Sequence, residues 1–203
     1  MRFYGLDRIP ERGAAILAPN HVSVLDPIAV ALAVAERGRV IRFLAAAEFF
    51  GHPLLGPGLR ITHQIPIKRG IRDLAALDDL VRVIRDGRLA GIFPEGRIRS
   101  GTPPLKGHSG LARIAQATGA PVIPVGVWGT RDRWPPGKPL LRPLRRLPLT
   151  VVIGEPMSVD LPGSSGRALK KATIRIMSGI EDCMGEARAM TTRVGGAHRG
   201  TNT

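Results

Sequence analysis

Short runs of consecutive apolar residues alternate along the chain with stretches in which apolar residues recur every three or four positions. That alternation marks strands covered by helices. Residues 14–18 (Ala-Ala-Ile-Leu-Ala) form an unbroken apolar run, predicted as a buried strand, and lead into Pro19-Asn20-His21. Ser23 or Asp26 is then placed to cap a helix, Pro27 suits its first turn and Gly38 stops it. Residues 40–45 are the next apolar run. Between 71 and 85, Ile71, Leu74, Leu77, Leu80, Val81 and Ile84 follow helical spacing opposite a face of Asp and Arg, with Gly87 as the stop. Residues 89–93 read as a strand running into Pro94-Glu95-Gly96, 109–118 as a helix stopped by Gly119, and 122–128 as a strand. The Pro- and Arg-rich stretch 130–148 is predicted as a long basic loop, followed by a strand at 149–153. Ser164 or Ser165 caps a last helix, about 165–189, whose Leu169, Thr173, Ile176, Ile180 and Met184 share one stripe.

The pattern predicts one α/β domain over residues 1–189, a mixed, mostly parallel sheet flanked by helices, with 190–203 as a disordered tail. A chain of 203 residues with 43% hydrophobic content can bury a core without metal or disulfide, and the single Cys183 can form no internal bridge. The formal charge of +14 calls for an anionic partner: nucleic acid, an anionic membrane or a phosphate-bearing substrate. One Tyr, two Trp and five Phe are a sparse stacking surface, which argues against nucleic acid. No apolar run reaches the roughly 20 residues that span a bilayer, and the opening MRFYGLDRIPERG lacks the layout of a secretory signal, so membrane contact is expected to be peripheral.

The candidate chemistry begins with His21 and Asp26. An offset of five does not bring two side chains together on a continuous helix, so they meet only across a turn, which Pro19, Ser23 and Asp26 favour. A carboxylate bonded to one imidazole nitrogen fixes the tautomer and frees the other nitrogen to take a proton from a hydroxyl. Further on, Phe93-Pro94-Glu95-Gly96-Arg97 sits where a strand ends, a usual location for sites in open α/β sheets, and joins an acidic residue to basic ones. No His or Cys spacing suits a metal, and Lys106-Gly107-His108-Ser109-Gly110 is not the Gly-x-Ser-x-Gly elbow of a serine hydrolase. His52 and His63, flanking a Gly- and Pro-rich stretch, are assigned structural roles.

In order and spacing, Asn20-His21-x-x-x-x-Asp26, Ile65-Pro66-Ile67-Lys68-Arg69, Phe93-Pro94-Glu95-Gly96 and Val122-Ile123-Pro124-Val125 resemble the four motif blocks of the glycerolipid acyltransferases, which include 1-acyl-sn-glycerol-3-phosphate acyltransferase. The similarity runs from about residue 5 to 156. It implies a glycerolipid acyltransferase-like fold and transfer of a fatty acyl group from a thioester, acyl-CoA or acyl carrier protein, to the sn-2 hydroxyl of 1-acylglycerol-3-phosphate, with no cofactor. His21 is then the general base and Asp26 its orienting carboxylate. Arg69, Glu95, Gly96 and a neighbouring arginine, Arg97 ahead of Arg99, bind the acceptor phosphate. The implied partners are the thioester, a phosphate-bearing lipid and an anionic membrane, with the protein peripheral on its cytoplasmic face.

The chain departs from the family pattern at the second block, usually Gly-x-Ile-Pro-Val-Asp-Arg, where His63 replaces the Gly and Lys68 the Asp. It departs again after the third block, where Arg97-Ile98-Arg99-Ser100 replaces the usual Thr-Arg-Ser. Both make the site more basic and leave room for another lysophospholipid or glycerol-phosphate acceptor. A non-catalytic anionic-lipid-binding protein is the alternative outside enzymes. The basic side chains Arg131, Arg133, Lys138, Arg142, Arg145 and Arg146 are a candidate membrane contact, each contributing ~1 kcal/mol near an anionic leaflet.

Overall fold

In the computed structural model, which describes residues 1–68, 73–98, 105–134, 148–160 and 165–197, the chain forms a seven-stranded sheet flanked by helices. The strands are β1 (Arg2–Tyr4), β2 (Ala15–Pro19), β3 (Ile41–Ala46), β4 (Ile65–Ile67), β5 (Leu89–Gly91), β6 (Val122–Trp128) and β7 (Thr150–Ile153). The helices are α1 (Asp26–Ala35), α2 (Gly56–Ile61), α3 (Leu74–Arg85), α4 (Gly110–Thr118), α5 (Thr130–Arg133) and α6 (Gly166–Ala197). Strand order is β1-β7-β6-β2-β5-β3-β4. Five strands, β2 to β6, run parallel, while β7 is antiparallel to β6 and β1 pairs parallel with β7. The expected mixed, mostly parallel sheet is therefore present.

The unbroken apolar runs arise because the central strands are covered on both faces. On β2, Ala15 and Leu17 join the core under α1, with Val30, Val34, Phe43 and Val125. Ile16 and Ala18 face the other way, into the core under α3, α4 and α6, with Leu80, Ile84, Leu111 and Ile180. Ile16, Leu17 and Leu80 are wholly buried, and each such side chain contributes roughly 1.5–3 kcal/mol of hydrophobic stabilisation.

These two coverings set the position of the site. After β2 the chain crosses under α1 towards β3, whereas after the adjacent β5 it crosses under α4, on the opposite face, back over β2 to β6. Neighbouring parallel strands whose connections leave in opposite directions open a crevice at their carboxyl ends. β2 and β5 are such a pair, in register Leu17↔Gly91.

Several local expectations are corrected. Leu25, not Ser23 or Asp26, occupies the cap position of α1, and Asp26 is its first helical residue. The Asp26 side chain is thereby released from capping. β5 ends at Gly91, not residue 93: the Ile92 amide still reaches the Leu17 carbonyl at 3.0 Å, and Phe93 already belongs to the turn closed by the Gly96 amide. α3 starts at Leu74, capped by Asp73, whose carboxylate accepts the Ala76 amide. Thr130–Arg133 forms a short helix inside the stretch expected to be loop, and α6, where Ser165 accepts the Ala168 amide, continues past 189 to Ala197. The remainder of the basic stretch, 135–147, and the end of the expected tail, 198–203, lie outside the described residues.

Candidate active site

β2 ends at Pro19, and the next residues turn sharply instead of entering α1 directly. Asn20 is fully buried and extends the sheet with its side chain. Its Oδ1 accepts the Val127 amide at 2.7 Å and its Nδ2 donates to the Val127 carbonyl at 3.1 Å, so the turn is fastened to β6. The turn then closes on Asp26. The Asp26 Oδ2 accepts the amides of Val22 at 2.6 Å and Ser23 at 2.7 Å, and the Asp26 amide returns to the Ser23 carbonyl at 3.2 Å.

This turn brings the five-apart pair together. The Nδ1 of His21 lies 3.1 Å from Asp26 Oδ2. A carboxylate only accepts, so the bond forms when Nδ1 carries the proton, and Nε2, on the far side of the ring, is left as the basic nitrogen. The Asp26 side chain has 0% exposure and that of His21 has 16%, so the carboxylate is sealed while the imidazole reaches solvent. The other Asp26 oxygen, Oδ1, accepts the Thr130 hydroxyl at 2.6 Å.

The loop after β5 supplies the opposite wall. Phe93 stacks on the His21 ring at 4.0 Å between centroids, 23° from parallel, and stacks in turn on Phe43 at 5.4 Å. Glu95 is fully buried, and its Oε1 accepts the His21 backbone amide at 2.8 Å. The Pro94 turn closes through the Gly96 amide on the Phe93 carbonyl at 3.0 Å, with Gly96 in the left-handed region at φ 70°. A second contact holds this loop beside the approach to α4: the His108 amide donates to the Pro94 carbonyl at 2.8 Å. Arg97 and Lys106, both exposed, are therefore carried by two adjoining segments.

The structure thus brings His21, Asp26, Glu95 and Gly96 together and sets Arg97 on the same loop. Arg69 and Arg99 lie outside the described residues. Glu95, buried, also holds the His21 backbone amide through its Oε1. Asn20, Phe93 and Thr130 join the site without having been singled out. Asn20 and Phe93 stood inside motif blocks, but the Thr130–Asp26 contact spans 104 positions and leaves no local signal. Among the described residues no group of three or more His, Cys, Asp or Glu side chains is arranged to hold a metal.

Known proteins are similar to this chain in sequence and in fold. The chain is similar to the 1-acyl-sn-glycerol-3-phosphate acyltransferase of Bacillus subtilis, 26% identical over 157 residues that make up 77% of this chain and 73% of that protein. It is 33% identical over 150 residues to the enzyme of that name from Limnanthes douglasii, covering 72% of this chain and 51% of the plant protein. The chain thus spans only about half of that plant relative. Among solved structures it resembles the 1-acyl-sn-glycerophosphate (LPA) acyltransferase PlsC of Thermotoga maritima, with a TM-score of 0.62 and 25% identity over 89% of this chain and 70% of that one. The model of the acyltransferase family matches residues 1–128, a span that holds all of β1 to β6 and the whole His21–Asp26 and Phe93–Arg97 site, and the chain belongs to that family.

Proposed function

We propose that the protein transfers a fatty acyl group from an acyl thioester, acyl-CoA or acyl carrier protein, to the sn-2 hydroxyl of 1-acylglycerol-3-phosphate. The observation that carries this reading is the His21 imidazole, bonded through Nδ1 to a sealed carboxylate, partly open to solvent and stacked on Phe93 of the loop that bears Arg97. Nε2 takes the proton of the acceptor hydroxyl as its oxygen attacks the thioester carbonyl. The tetrahedral oxyanion then collapses, expelling the thiolate, which takes that proton back from the imidazolium. A positioned base of this kind supplies ~10²–10⁴-fold, and a thiolate leaves readily enough that no acyl-enzyme is needed.

Asp26 orients the imidazole and, in the transition state, faces the positive charge that forms on it. Glu95 and Phe93 set where the ring stands, the first through the main chain and the second by stacking. Arg97, with Arg69 and Arg99, is assigned to the acceptor phosphate, which a guanidinium grips by paired, charge-assisted bonds. Gly96 suits the turn because its φ of 70° lies in the left-handed region that favours glycine.

The membrane is the natural meeting place for such a substrate, and the protein is assigned to its cytoplasmic face as a peripheral protein. Among the described residues no helix is long and apolar enough to cross a membrane. α1 nevertheless turns Ile28 and Leu32 outward, and Val24 stands exposed one turn before them. Phe49, Leu54 and Leu55 are exposed on the segment that leaves the carboxyl end of β3, the end of the sheet that carries the site. Together with the positive charge of the chain, this apolar rim suits the surface of an anionic leaflet.

The test is acyl transfer to a panel of acceptors on anionic vesicles: lysophosphatidate, lysophosphatidylglycerol, glycerol 3-phosphate and uncharged monoacylglycerol. Lysophosphatidate is expected to be acylated fastest and Arg97→Ala to raise its KM. Preferred turnover of monoacylglycerol would remove the phosphate role, and preference for another phosphate-bearing acceptor would reassign the substrate within the same chemistry.

A further inference from the structure

We infer that Thr130 is a positioning residue for the His21–Asp26 pair, acting through the second oxygen of the carboxylate. The inference rests on the reading of His21 as the base and adds a residue beyond the motif blocks. Among the described residues, the Asp26 side chain accepts from four partners. Three, the Val22 and Ser23 amides and His21 Nδ1, converge on Oδ2, and the Thr130 hydroxyl alone takes Oδ1, at 2.6 Å. Bonds at one oxygen leave the carboxylate free to swing about that oxygen. A short bond at the other fixes its plane, and with it the direction from which Oδ2 meets the imidazole.

The placement of Thr130 is built into the fold. β6 runs parallel to β2 and ends at Trp128 on the same side of the sheet, Gly129 follows in the left-handed region at φ 92°, and Thr130 opens α5 against Asp26. The same segment grips the turn at two more points: Val127 pairs with the Asn20 amide, and the Trp134 carbonyl accepts the Ser23 hydroxyl at 2.9 Å. Thr130 and Asp26 each have 0% exposure, so no water replaces the bond if the hydroxyl is lost, and Oδ1 is left as a buried, unsatisfied charge-bearing atom. A carboxylate freed on that side is expected to tilt away from Nδ1, which lets the imidazole adopt its other tautomer, with the proton on Nε2 and no base facing the acceptor.

The test compares Thr130→Val (same shape, no donor), Thr130→Ser (donor kept) and Thr130→Cys (a weaker donor) with the unaltered protein and with His21→Ala. The ring ¹⁵N shifts of His21 read which nitrogen carries the proton, independently of turnover. Kinetics and thermal melts are run on the same samples. The unaltered protein and Thr130→Ser are expected to hold the proton on Nδ1, Cys to be intermediate and Val to show a mixed population. For Val, kcat should fall roughly tenfold to a hundredfold with little change in acceptor KM, the range expected for losing one hydrogen bond to a charged group. If kcat across the series follows melting temperature and not donor strength, or if the Val variant keeps the Nδ1–H shifts and full kcat, Thr130 is structural only and the inference falls. Should Val not fold, the Ser and Cys variants decide between donor strength and stability. Full activity of His21→Ala would instead overturn the base assignment, and the ¹⁵N series would still read the Thr130 contact by itself.

Discussion

Asp26 stands at the centre of the site because, among the described residues, every bond its side chain makes is an acceptor bond. Asp26→Asn would remove the charge facing the imidazole and, with its NH₂ on the Oδ2 side, would set a donor against the Val22 and Ser23 amides, which can only donate. It is expected to lower kcat by about two to four orders of magnitude, the range of a mispositioned general base, and to lower the melting temperature as well. Steady-state kinetics beside a thermal melt checks both. Cys183 shows the opposite use of burial. Its thiol sits against the Pro124 carbonyl at 3.8 Å, and burial first, then the charge of Glu186, pushes its pKa up to about 11. A folded pKa above the unfolded value stabilises the protein below the unfolded pKa, and that contribution is lost as pH rises through the folded one. Stability is therefore expected to decline between about pH 9 and 11. Native protein should react slowly with iodoacetamide at pH 8 and quickly once unfolded in urea, as mass spectrometry would show. His21 and Asp26 were legible in the sequence because the five-residue offset and the turn-forming residues between them fall in one short segment. Thr130 was not, because only the three-dimensional return of β6 brings it to Asp26.

At the scale of elements, the sheet depends on how closely α6 lies on β6. A Cβ on Gly126 would stand 2.2 Å from the Cys183 carbonyl carbon and 2.3 Å from the Met184 amide nitrogen, so the clash is with backbone that cannot rotate away. Gly126→Ala is expected to lift α6 from the sheet and destabilise the protein by about 1–3 kcal/mol, read as a melting temperature lower by several degrees. An unchanged melt would mean that the helix shifts freely. The strands most readable in the sequence were β2 and β6, whose faces are both buried and whose residues are almost all apolar. β1 and β4, of three residues each, are too short for any periodicity to show and exist because a neighbouring strand offers them an edge. α5 was read as loop because its four residues, Thr-Arg-Asp-Arg, carry no apolar stripe. α6 outran its expected end because its last turns need no apolar stripe to continue a helix already anchored by Ile176, Ile180 and Ala187.

At the scale of the whole molecule, the proposed membrane contact rests on the charge of +14 and on exposed apolar residues. Ile28 and Leu32 are 52% and 47% exposed, so replacing both by Asp should leave the fold within about 0.5 kcal/mol of its stability. The double variant is expected to bind anionic vesicles at least roughly tenfold more weakly, while turnover of a short-chain, water-soluble acceptor is unchanged. Co-sedimentation with vesicles and the soluble assay separate the two effects, and undiminished vesicle binding would move the contact elsewhere. The most direct test of the account is acyl transfer from acyl-CoA and from acyl carrier protein to lysophosphatidate on anionic vesicles, with the unaltered protein and His21→Ala side by side. Turnover is expected from the first and essentially none from the second, with both folded and both bound to vesicles. Full turnover by His21→Ala would contradict the role of His21 as the base.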